Sequence, residues 1–153
     1  MKNWIQSAIS GMVLERPGQK QTLAEHAASL EANAQDLARR WSGVQDSPAN
    51  REKLRHITGI ERWGQARLRA WLGEDVPSDE YDSYRPAEHL DWDMLLAQFQ
   101  AARRDTITLA RELTAANADL RRTVVHNQYG PLTVRAWLQY VFHHANMEGK
   151  RVR

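Results

Sequence analysis

The stretch TLAEHAASLEANAQDLARRW, running from Thr22 to Trp41, sets the fold class. It opens as a capping box, with the Thr22 side chain placed to accept from the third amide of a helix and Glu25 placed to reach back. Leu23, Ala27, Leu30, Ala34, Leu37 and Trp41 then follow in steps of four and three. That rhythm is one apolar stripe on a helix that packs against partners, and it predicts a helix over residues 23–42.

The same reading extends outward in both directions. Ser47-Pro48 is a start signal, serine at the cap and proline at the first helical position. The helix it opens should cover residues 49–72 and stop at Gly73, with Leu54, Ile57, Ile60, Trp63, Leu68 and Trp71 on its apolar face. Gly59 and Gly64 inside it each cost about 1 kcal/mol relative to alanine, which points to close packing there. Residues 74–91 are acidic, contain Pro77 and Pro86, and read as a long connection of the kind that covers a site. Asp91 caps a third helix over 92–116, and Thr133 caps a fourth that runs to about residue 149. Between them Gly130-Pro131 marks a turn and Thr123 to His126 reads as a short extended piece, with no convincing strand elsewhere. Upstream, Trp4, Ile5, Ala8, Ile9, Met12 and Val13 have helical spacing, and Pro17-Gly18 should end that segment. A short helix that covers the bundle or joins a second subunit is the expectation. The architecture is therefore all-α, a four-helix bundle with an additional short N-terminal helix. We divide it into an N-terminal helical extension, residues 1–20, and the bundle, residues 21–153.

At 153 residues the chain suits one domain with a single core. There is no cysteine, which excludes disulfides, thiolate metal sites and a cysteine nucleophile. The net charge is only +2 and basic residues are interspersed with acidic ones, so composition gives no case for nucleic acid. The pairs Arg39-Arg40, Arg103-Arg104 and Arg121-Arg122 read as solvated helix faces, and the six tryptophans as core. No apolar run approaches the eighteen or so residues that cross a membrane, and the cytoplasm is the expected location. Gly-rich phosphate loops, nucleophile elbows and His-Glu-x-x-His helices are missing from the sequence.

The chemistry-bearing candidates are His144 and Glu148, four residues apart on the apolar edge of the fourth helix. By spacing alone they read first as an ordinary helix pair, worth a few tenths of a kcal/mol. A buried glutamate without a partner is costly, however, and a metal ion or a neighbouring histidine would satisfy it. His56 is a third candidate, although taken alone it reads first as a core histidine bonded to a backbone carbonyl. His143 points about 100° away from His144 and reads as a surface or interface residue. His26, His89 and His126 fall at a helix start and in two loops, and read as solvated. Glu52 and Glu61 flank His56 and are candidates for orienting its ring. The basic end, Lys150 to Arg153, lies at the rim of this region, where it would attract an anion.

Several motifs together resemble the DinB/YfiT-like family of metal-dependent four-helix proteins. They are Leu54-Arg-His56-Ile-Thr-Gly-Ile-Glu61-Arg-Trp63, Arg85-Pro86 followed by Asp91 to Arg103, and Gly130-Pro131-Leu132-Thr133-Val134-Arg135-Ala136-Trp137-Leu138. The closing motif, usually a histidine, three residues and a second histidine, is here His144-Ala-Asn-Met-Glu148. The resemblance covers the chain from about Thr22 onward. It implies a DinB-like bundle, often a homodimer, holding one divalent metal through His56, His144 and Glu148. Two histidines and a carboxylate suit zinc, nickel, manganese or iron. It also implies a metal-dependent transferase or hydrolase acting on a small-molecule substrate, in some relatives with a low-molecular-weight thiol such as bacillithiol or mycothiol. The alternative is a non-catalytic stress-response or binding module whose metal site has decayed at Glu148.

Overall fold

A capping box starts the first long helix as the sequence requires. Glu25 N–H donates to Thr22 Oγ1 at 3.1 Å, and Thr22 N–H donates to the Glu25 carboxylate at 2.7 Å. The computed structural model describes residues 2–153, with side chains from Trp4 onward. Its elements are α1 (Lys2–Ser10), α2 (Arg16–Gln19), α3 (Leu23–Trp41), α4 (Pro48–Leu68), α5 (Trp92–Ala115), β1 (Thr123–His126), β2 (Gly130–Thr133) and α6 (Val134–Gly149). Ser47, Asp91 and Thr133 cap α4, α5 and α6, each side chain accepting from the amide three residues on. The α4 helix tightens into a 3-10 turn, Arg69–Leu72, and stops at Gly73, whose φ of 94° suits glycine.

Helices α3 and α4 each pack against both α5 and α6. Although consecutive in the chain, α3 and α4 therefore stand across the bundle from one another. Two apolar clusters fill the interior. One gathers Leu30, Trp63, Leu109 and Trp137, the other Leu37, Trp41, Leu54 and Phe99. Five of the six tryptophans are buried, whereas Trp4 is 77% exposed. The glycines expected to allow close packing do so. A Cβ on Gly64 would lie 2.7 Å from Val141 Cγ2 of α6, and one on Gly59 would lie 2.9 Å from Arg85 Cγ.

Two expectations need correction. Pro17-Gly18 does not end the N-terminal segment, which stays helical to Gln19. A π-turn, Gly11–Glu15, precedes the proline, with Arg16 N–H bonded to Gly11 O. Widening the helix there accommodates a ring that would clash with an ordinary α-turn. The segment lies on α6, pinned by Glu15, whose carboxylate accepts from Thr133 N–H at 3.0 Å and Thr133 Oγ1–H at 2.8 Å. Second, the extended piece is one strand of a hairpin. β1 and β2 pair antiparallel, from Thr123 opposite Thr133 to His126 opposite Gly130. Among the described residues no helix is long and apolar enough to cross a membrane.

Candidate functional site

The packing of α4 on α6 brings His56 and His144 together. Their Nε2 atoms lie 3.2 Å apart, with ring centroids at 5.0 Å. Both rings are partly buried, and burial depresses both pKa values. His144 falls to about 3, with His56, His143 and His126 adding repulsion to its cation; at His56, Arg85 adds to the burial effect. The imidazoles are therefore neutral, the form that ligates metals. Neutral rings in Nε2-to-Nε2 contact need one N–H and one lone pair, hence opposite tautomers. The alternative is that both lone pairs turn on a common Lewis acid.

The pair sits in a cavity of about 470 Å³ whose wall also includes Tyr81, His126, Tyr140 and Glu148. Tyr81 belongs to a 3-10 turn, Tyr81–Tyr84, in the long connection, and meets the His56 ring edge-on at 5.6 Å. Glu148 lines the same cavity, but its side chain is 27% exposed and its carboxylate accepts from Arg151 Nη1 at 3.2 and 3.3 Å. Arg151 thus serves as the partner of the one carboxylate in the wall, where the sequence suggested an attraction for anions. Among the described residues no three His, Asp or Glu side chains converge closely enough to hold an ion as they stand. The donor chemistry, two neutral imidazoles and a carboxylate, fits a divalent cation; two of the three donors already meet.

Other sequence readings change. Glu52 pairs with Arg55 and Arg85, and Glu61 with Arg103, so neither orients His56. Arg103 is 1% exposed, not on a solvated face. His26 is buried, its Nε2 2.8 Å from Gly18 O, and this contact fastens the N-terminal segment to α3. His126 is also buried, and burial together with Arg67 lowers its pKa to about 4. Its Nδ1 accepts from Gln128 N–H at 3.0 Å and Tyr129 N–H at 3.3 Å, so the proton resides on Nε2. Strand alternation carries the signal: Val124 faces inward, so His126, two residues on, must also. Tyr140 was likewise legible as the residue one turn before His144 on the same helical stripe.

Compared with known proteins, the chain matches the family model of the DinB superfamily over residues 19–149. No curated protein and no solved structure matches it.

Proposed function

The chain belongs to the DinB superfamily, and from that premise we propose that it is a metal-dependent enzyme acting on a small molecule, with His56, His144 and Glu148 as ligands. The observation that supports this most is the meeting of two neutral imidazole nitrogens at 3.2 Å in a cavity wall. Nitrogens bound about 2.0–2.1 Å from a tetrahedral ion stand roughly 3.3 Å apart, so the pair needs little adjustment. Glu148 would have to exchange Arg151 for the ion. A divalent ion would supply Lewis acidity, polarising a substrate oxygen or activating a bound thiol or water. The chain has no cysteine, so any attacking sulfur must come from a low-molecular-weight thiol. Burial keeps the histidines unprotonated and available at neutral pH.

Elemental analysis of tag-free protein, with melting curves in added Zn²⁺ or Ni²⁺, tests the proposal. Binding at 100 times Kd should stabilise the fold by about 2.7 kcal/mol. Glu148→Ala should reduce that gain sharply and His56→Ala should abolish it. A second reading has its own support: the His56–His144 contact and the Glu148–Arg151 pair satisfy these groups without an ion. It describes a binding module with a decayed site, and melting unchanged by either metal would favour it.

A further inference from the structure

The metal reading leaves several polar groups in this cavity unused, the Tyr140 hydroxyl and the unpartnered His126 Nε2–H among them. Tyr140 lies one turn before His144 on α6, is 7% exposed and lines the cavity, its ring 5.9 Å from that of His144. Its hydroxyl makes no hydrogen bond to another described residue. The nearest ring is His126, edge-to-face at 4.4 Å, but it cannot take the phenol's proton. Its Nδ1 lone pair is consumed by two backbone amides, and Nε2 bears a hydrogen. Burial, reinforced by Tyr129 and Tyr81, raises the Tyr140 pKa, so the hydroxyl remains a donor.

The rest of the wall limits what can accept from it. Trp63, Tyr81 and Tyr129 are its aromatic members, Gln6, Asn127 and Gln128 its neutral amides, and no lysine or arginine lines the cavity among the described residues. Its one carboxylate, Glu148, is already held by Arg151. The nearby Arg67 and Arg85 are engaged by Asp79 and by Glu52 and Asp82, so a carboxylate or phosphate would find no free counter-charge here, whereas a flat neutral molecule loses little on desolvation.

We propose that this cavity binds an uncharged planar carbonyl compound, the carbonyl oxygen accepting from the Tyr140 hydroxyl and the planar body lying among Trp63, Tyr81 and Tyr129. The assignment rests on the reading that this cavity is the functional site, but not on an ion being bound. Benzamide is the probe, titrated into the full chain without added metal and followed by NMR at the Trp63 indole N–H. Saturable benzamide binding is expected, with benzoate at least tenfold weaker. Tyr140→Phe keeps the ring and removes the donor; it should weaken benzamide about tenfold and leave ethylbenzene unaffected. Benzoate binding as tightly as benzamide, benzamide causing no saturable shift, or Tyr140→Phe leaving its affinity unchanged would each overturn the assignment. If Tyr140→Phe lowers the melting temperature severely, the benzamide-to-benzoate ratio of the unaltered chain decides alone. Benzamide binding without metal uptake would sink only the metal reading, and metal uptake without benzamide binding would sink only this one.

Discussion

His126 shows how much one buried side chain can decide. Its imidazole is packed against Trp63, Trp137 and Tyr140, and burial together with repulsion from the Arg67 guanidinium of α4 strongly disfavours its cation in the folded chain. The folded pKa of about 4 lies below the 6.5 of an unperturbed histidine. The unfolded chain therefore binds a proton first as pH falls, and stability is lost between about pH 6.5 and 4. At 1.36 kcal/mol per unit, the loss amounts to about 3 kcal/mol. His126→Asn, whose carbonyl oxygen can still accept from the two turn amides, should flatten that window. Urea unfolding at pH 7 and pH 4.5 measures the difference; an unchanged pH dependence would mean that the imidazole is not held neutral. His26 and His144 are also depressed, so part of the slope should survive. His26 and His126 read as solvated in the sequence but are buried, because position at or between elements is a poor guide to burial. One is covered by the N-terminal segment folding back; the other lies on a strand too short to stand out, which turns it inward onto Trp63 and Trp137.

At the scale of elements, most of the bundle was legible because its boundaries are written in local chemistry. Thr22, Ser47, Asp91 and Thr133 are caps whose hydrogen bonds form within three residues, and Gly73 stops a helix by its own backbone. The hairpin and the N-terminal segment were harder, since a four-residue strand has too few alternations to count and the π-turn before Pro17 has no comparable local mark. Glycine in α4 is an intermediate case: Gly64 was readable as a close approach, but its partner, Val141, was not. A methyl at Gly64 would press on the helix that carries His144, while α4 itself carries His56. Gly64→Ala should cost about 1–3 kcal/mol by overpacking. It should also weaken Zn²⁺ or Ni²⁺ binding by separating the two imidazoles. Gly11→Ala, where a Cβ meets nothing within 4 Å, is the matching control. Equal metal affinity in Gly64→Ala and the unaltered chain would show that the α4–α6 spacing does not set the site.

Across the whole molecule, a buried polar network joins the four bundle helices. Arg103 of α5 donates to the Glu61 carboxylate of α4 from Nε at 2.7 Å and Nη2 at 3.0 Å, and from Nη1 to Asn33 of α3 at 2.8 Å. Thr106 Oγ1–H donates to Glu61 at 2.7 Å, and Asn33 reaches Asn146 of α6 at 3.5 Å. Sequence patterning could not expose this, because Glu61 and Arg103 lie 42 positions apart and each alone resembles a surface charge. Both are 1% exposed, so their attraction is set against a large desolvation cost and adds little net stability. Its effect is directional: a helix placed at the wrong corner would leave a charge buried and unpaired. Arg103→Leu should therefore cost about 3–5 kcal/mol by stranding Glu61. Adding Glu61→Leu should recover most of that loss, since the stranded charge is removed with its partner. Urea unfolding of the two single variants and the double completes the cycle. A double variant as unstable as the sum of the singles would mean that the pair holds the bundle up, rather than selecting how its helices are arranged.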